Sequence, residues 1–254
     1  MKSLIYMQFR EVRNVLLSLI LASIFFTILG IFTGPALGIP LTFLLVGASI
    51  IYTLTKIHKM FFGEYASFYS ALPISPKKVL GSQFLFFLLF FLILILLILF
   101  SIGATLFIFL ESQPQDAWSS FTMELQRFLS SLQSLPPRFY LMLVLLSIIG
   151  IIHDIFSILF AMHVGSEKNW RRLGFGGPIL VFTLLSIAES IVEGILANFS
   201  FANLPIGDVN SSFPEVWNLH FESLSLAVLA FSVVVTVFLV VRTYHSVKKK
   251  LSVY

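Results

Sequence analysis

The 254-residue sequence contains no cysteine, which excludes both a disulfide framework and any thiolate metal site. Charge is scarce as well. Asp, Glu, Lys and Arg make up 11% of the chain, against about 25% in soluble domains. The motifs that announce common chemistries are missing too: there is no GxxxxGKS/T, no HExxH, no GxSxG and no His/Cys cluster at metal-ligand spacing. No metal site and no ATPase site is therefore expected in this chain. Nothing in it is patterned for nucleic acid. What is present is apolar: 58% hydrophobic residues, 29 of them Phe, and a mean hydropathy of +0.99. Such a chain belongs in a bilayer, as an all-α integral membrane protein.

A spanning helix needs about 20 mainly apolar residues, and six stretches qualify: 15–32, 36–54, 84–110, 140–162, 178–197 and 224–241. The third is longer than a hydrocarbon core of about 30 Å requires, so it must tilt or protrude. The opening residues 1–14 read as a short amphipathic interfacial helix, with Ile5, Phe9 and Val12 at helical spacing and Lys2, Arg10 and Arg13 among them; a frayed basic tail is the other reading. No cleavable leader is expected there.

Lys and Arg sort sharply by connection. Lys2, Arg10 and Arg13 precede span one; Lys56, Lys59, Lys77 and Lys78 lie between spans two and three; Lys168, Arg171 and Arg172 follow span four; Arg242, Lys248, Lys249 and Lys250 follow span six. The opposite connections hold only Arg127 and Arg138. By the positive-inside rule both termini are cytoplasmic, with 242–254 a cytoplasmic basic tail. Two outer connections carry structure of their own. In 111–138 the residues Trp118, Phe121, Leu125, Phe128, Leu129, Leu132 and Leu135 recur every three or four positions before Pro136 and Pro137, the pattern of an amphipathic helix on the outer leaflet or over the outer mouth of a pore. Segment 198–222 mixes Phe, Leu and Trp with Pro205, Gly207 and Pro214, which suits a re-entrant or interfacial element.

Four ionisable residues fall inside spans, where they are costly and mark function by default: His153 and Asp154 in span four, Glu189 and Glu193 in span five. Spacing of four puts the two glutamates on one helix face. They are candidates for a translocation path; the opposing reading ends span five near Glu193 and leaves both at the outer interface. His153 and Asp154 are adjacent, point about 100° apart and do not pair with each other; interhelical hydrogen bonds or a proton relay are their two readings.

The longest cytoplasmic connection, 56–83, includes "GEYASFYSALPISPKKVLGSQ". A helix-compatible run over 63–72 closes at Pro73, and Ser75 with Pro76 supplies an N-cap and first-turn residue for the third span. This stretch resembles the one that follows the second span in permease subunits of the ABC-2 type exporter family. There an acidic residue precedes a short coupling helix, then a Leu-Pro-Ile/Val-Ser turn and basic residues lead into span three. Glu64 matches the acidic residue; Leu72, Pro73, Ile74 and Ser75 match the turn; Lys77 and Lys78 match the basic stretch. Tyr65, Phe68 and Tyr69 fall on the coupling helix, with Phe68 and Tyr69 as anchors in a partner's pocket. Pro76 and Gln83 depart from the family, which often has Arg and Lys there. The resemblance implies an ABC-2 type exporter permease fold and a bacterial plasma-membrane location. Its partners would be a second copy or a related permease subunit, surrounding lipid, and a separate ATP-binding cassette subunit that carries the ATP and Mg. The cargo would be a hydrophobic or amphipathic molecule such as a peptide, lipid or drug. The rival expectations are a proton-coupled secondary transporter using the intramembrane carboxylates and, more remotely, an intramembrane enzyme resting on His153 or Asp154.

Overall fold

The computed structural model describes residues 2–33, 35–63, 74–111, 115–133, 137–168, 170–202 and 213–251. Among them the chain is helical throughout: α1 (Lys2–Thr33), α2 (Pro35–Phe62), α3 (Pro76–Glu111), α4 (Gln115–Gln133), α5 (Pro137–Val164), a 3₁₀ turn (Arg171–Leu173), α6 (Gly176–Ala202) and α7 (Phe213–Leu251). Six helices, all but α4, are long and apolar enough to cross a membrane. The chain divides into two compact units, Met1–Ser134 and Leu135–Tyr254.

In the first unit α1, α2 and α3 pack on one another, and α4 touches α3. Without a hydrophobic driving force between helices in lipid, close approach of small residues and hydrogen bonds hold such a bundle together. The buried stripe of α1 is Leu4, Gln8, Val12, Leu19, Ser23, Thr27 and Gly30, one face at near-heptad steps from end to end. That unbroken stripe, with no Gly or Pro before Gly30, is why residues 2–14 continue straight into the span instead of forming the separate interfacial helix expected at 1–14.

One residue separates α1 from α2. The hairpin closes because Gly30 and Gly38 face each other: a Cβ on Gly38 would sit 2.5 Å from Gly30 Cα. One turn further along, Ser101 Oγ of α3 lies 2.9 Å from Thr27 Oγ1 and 3.0 Å from Thr42 Oγ1, so a single hydroxyl joins all three helices. At the other end Phe86 is fully buried, edge-on to Phe9 with ring centroids 5.0 Å apart and stacked with Phe90 at 6.0 Å. Gln8 Nε2 reaches Ser82 Oγ at 3.4 Å in the same layer, and Ile57 and Met60 of α2 are buried. At about 1.5 Å per residue the 36 residues of α3 extend about 54 Å, well past a core of about 30 Å.

α4 covers most of the predicted outer amphipathic segment. Its Trp118 meets Phe107 of α3 edge-on at 6.0 Å, while Phe121, Leu125 and Leu129 stay exposed, as a face meant for lipid would. Pro137 opens α5 as its first residue, the position where a missing N–H costs nothing.

In the second unit α5 packs against both α6 and α7, and α6 touches α7. The buried residues Ile155, Leu159 and Met162 of α5 and Leu239 of α7 form its centre. α5 turns into α6 over a close backbone approach: a Cβ on Gly165 would meet Pro178 N at 2.5 Å, and one on Gly177 would overlap the Gly165 carbonyl oxygen. Gly174 supplies the left-handed residue of that turn, at φ 54°. α6 runs on to Ala202 and α7 begins at Phe213, so helix occupies 198–202 and 213–222 of the segment read as re-entrant or interfacial. Residues 203–212 lie outside the described set. The tail from 242 is helical to Leu251 as the end of α7.

Candidate functional site

The polar residues inside the spans of the second unit come together on three helices. His153 lies eleven residues before the end of α5, and Glu189 thirteen residues after the start of α6. In an antiparallel hairpin these positions are opposite, about 17–20 Å from the turn and close to the middle of a core of about 30 Å. His153 Nε2 and Glu189 Oε1 are 3.2 Å apart, with the two side chains only 15% and 17% exposed. On its other side the imidazole contacts α7, with Nδ1 3.1 Å from Thr236 Oγ1. Ser157, one turn along α5, places its hydroxyl 3.4 Å from Nε2. Thr236 is anchored in turn: its hydroxyl donates to the Ser232 carbonyl at 2.6 Å.

His153 is therefore the hub of the site, joining α5 to both α6 and α7. Among the described residues Glu189 Oε1 is buried and has no hydrogen-bond partner, and its close polar neighbour there is the ring nitrogen. Asp154 and Glu193 behave differently. Both are exposed, Asp154 beside the hub on α5 and Glu193 one turn beyond Glu189. Asp154 shares the depth of the hub, whereas Glu193, seventeen residues along α6 and about 26 Å from its start, is near the far edge of a core of about 30 Å; an exposed carboxylate inside the core must meet water, a cation or another polar chain. α6 continues nine residues past Glu193, while its apolar stretch ends at Leu196. Among the described residues no group of His, Asp and Glu is arranged to hold a metal ion.

Sequence reasoning selected His153, Asp154, Glu189 and Glu193 and missed that two of them pair. It also missed Thr236, a threonine that reads as ordinary helix-packing residue. The signal was the similar distance of His153 and Glu189 from the α5–α6 turn, eleven and thirteen residues.

A second polar contact lies at the turn end of this unit. Arg242 Nη2 is 2.8 Å from Glu167 Oε1 and donates to Oε2 at 2.9 Å, while the Ser246 hydroxyl donates to Oε1 at 2.9 Å. This ties the α5–α6 connection to the last turns of α7. The two connections that sequence charge assigned to one side are thus at one end of the unit.

Of the residues singled out between spans two and three, Glu64, Tyr65, Phe68, Tyr69, Leu72 and Pro73 lie outside the described set. Ser75 stands at the N-cap position of α3: its carbonyl accepts from Lys78 N at 2.9 Å and Val79 N at 3.2 Å, and Pro76 is the first helical residue. Lys77 and Lys78 are exposed on the first turn. α2 ends at Phe62, and the N–H of the following Gly63 donates to the Lys59 carbonyl at 3.1 Å.

Six long apolar helices and a buried polar cluster at mid-span define the class: a multi-pass α-helical membrane protein. Comparison with protein-family models, with curated proteins and with solved structures finds no match to this chain.

Proposed function

We propose that this chain is the membrane-spanning permease subunit of an ATP-driven exporter of the ABC-2 type, working as a dimer with a separate ATP-binding subunit. The single observation that carries the proposal is the stretch from Glu64 to Gln83 and where it is mounted. It leaves α2 and enters α3 at the end of the first unit where Phe9, Phe86 and Phe90 interlock and Ile57 and Met60 are buried. A segment anchored at both ends to a tightly packed bundle passes a push from a partner into the spans; one tethered to loose helices would absorb it. The exposed Lys2, Arg10, Arg13, Lys59, Lys77 and Lys78 at this end support a cytoplasmic orientation by the positive-inside rule. The plasma membrane of a bacterium is the location this reading carries with it. The cargo class that suits a path rich in Phe is hydrophobic or amphipathic.

The test is isolation of the tagged chain from native membranes in mild detergent. A co-purifying protein with a phosphate-binding loop, lost in Glu64→Ala and Phe68→Ala, is the expected result. Retention of the folded chain without any ATPase would overturn the reading.

A second reading has its own observation in favour. The buried His153–Glu189 pair, flanked by exposed Asp154 and Glu193, suits a proton-coupled secondary transporter. Uptake or efflux that collapses with the proton gradient in ATP-depleted vesicles would favour it over the first.

A further inference from the structure

The contacts around His153 fix where protons go. Thr236 has one hydroxyl proton, and it is given to the Ser232 carbonyl at 2.6 Å. Its oxygen therefore faces His153 Nδ1 at 3.1 Å as an acceptor, so Nδ1 carries a hydrogen. A neutral ring protonated on Nδ1 turns the Nε2 lone pair toward Glu189 Oε1, 3.2 Å away. Were the glutamate ionised as well, two acceptors would face each other in a low-dielectric interior with nothing between them. Ser157 does not relieve this, since its one proton at 3.4 Å from Nε2 leaves Oε1 unserved. One further proton between Nε2 and Oε1 removes the conflict, whether written as imidazolium with carboxylate or as imidazole with carboxylic acid.

We propose that His153 and Glu189 form a one-proton binding site in the membrane interior, and that the bound proton holds α6 against α5 and α7. Release of the proton to water leaves the Nε2 lone pair opposed to a carboxylate, and α6 swings away from α5. α6 is the helix that can yield: only 6% of its apolar window is buried, against 17% for α5. The charged groups that act on Glu189 besides His153 are Glu193 on α6 and Asp154 on α5, both exposed. α7 presents Thr236 to the ring, and its Arg242 is engaged with Glu167. The two outlying carboxylates offer the proton a route between the buried pair and water. The proposal does not depend on an ATP-binding partner, and it holds under either reading of transport.

The test uses the full chain in lipid bilayers with ¹⁵N-labelled histidine, the His153 signals being identified by their loss in His153→Gln. The expected result is a hydrogen on Nδ1 at both mildly acidic and mildly alkaline pH, with the hydrogen bond between Nε2 and Glu189, seen in the Nε2 shift whichever atom holds the proton, lost as pH rises. Spin labels at Ile187→Cys on α6 and Val234→Cys on α7, both exposed in a chain with no other cysteine, should move apart by about 2 Å, the scale of a helix shift, over the same pH range. In Glu189→Gln the distance should lose its pH dependence. In Thr236→Val, which removes the acceptor while keeping the shape, the neutral ring should adopt the Nε2–H form. A control pair at Leu21→Cys and Leu44→Cys in the first unit should not respond, which separates this event from unfolding. A wild-type neutral ring with a bare Nδ1 would overturn the site, and a constant α6–α7 distance through the loss of the Nε2–Glu189 hydrogen bond would overturn its role in packing.

Discussion

Gly38→Ala tests the packing logic of the first unit most directly. The added Cβ would lie 2.5 Å from Gly30 Cα, 3.2 Å from Gly30 N and 3.2 Å from the Phe26 carbonyl oxygen. Every one of these is backbone, so no side chain can rotate out of the way. Restoring ordinary contact distance requires α1 and α2 to part by about 1 Å at their narrowest point, and overpacking of this kind costs about 1–3 kcal/mol. The same movement stretches the contacts of Ser101, now 2.9 and 3.0 Å; Thr27 and Thr42 give their protons to Ser23 and Gly38 carbonyls, so the single Ser101 proton makes one hydrogen bond that is lost, at about 0.6 kcal/mol in a membrane setting. Against this stands a gain of about 1 kcal/mol for alanine over glycine in a helix. The net loss is about 1–3 kcal/mol. Gly47→Ala on the same helix is the reference, because a Cβ there meets nothing within 4 Å; it should be neutral or stabilising by up to about 1 kcal/mol. Equilibrium unfolding of the purified chain in bicelles measures both. If the two variants agree within about 0.5 kcal/mol, the close Gly30–Gly38 approach does not hold the hairpin together and the argument fails.

Phe86→Ala should be clearly destabilising in the same assay through the cavity and lost ring contacts left by a fully enclosed side chain, whereas Phe100→Ala, at a position 60% exposed, should change little. Ser101→Ala removes the hydroxyl shared by Thr27 and Thr42 and should cost about 1 kcal/mol, with Ser101→Thr less benign than it looks because its extra methyl has to fit a site 1% exposed. Glu167→Ala should lower global stability by less than about 1 kcal/mol, since the Arg242 pair is more than a third exposed, yet speed hydrogen exchange over 165–175 by releasing that turn from α7. Single cysteines at Lys78 and Lys249 should react with a membrane-impermeant thiol reagent from one side of sealed vesicles, and a cysteine at Glu124 from the other; labelling of all three from one side would refute the assigned orientation.

Much of this protein was legible before any coordinates, because a bilayer imposes a one-dimensional rule. Length and hydropathy alone mark each crossing, and the six stretches read from the sequence fall within α1, α2, α3, α5, α6 and α7. Ser75 and Pro76 announced the start of α3 through local chemistry, and Pro137 the start of α5. Helix ends without such markers were misjudged. Nothing local separates residues 2–14 from the span that follows, and what keeps them helical is the continuous buried stripe through Leu4, Gln8 and Val12. The segment 198–222 looked broken from its prolines, yet helix occupies both of its flanks.

The sequence by itself determined the class, the number of crossings and the sorting of positive charge, since each depends on residue type and position along the chain. It also named the four ionisable residues in the spans, because their cost in lipid is a property of each residue alone. Only the tertiary structure decided that His153 joins Glu189 and Thr236 while Asp154 and Glu193 stay exposed. It likewise decided that Ser101 sits between Thr27 and Thr42. The physical reason is the same in both cases. A side chain's depth follows from counting residues, but which neighbouring helix it faces depends on rotation about the helix axis, and that rotation is set by the packing of small residues such as Gly30 against Gly38 and Gly165 against Gly177.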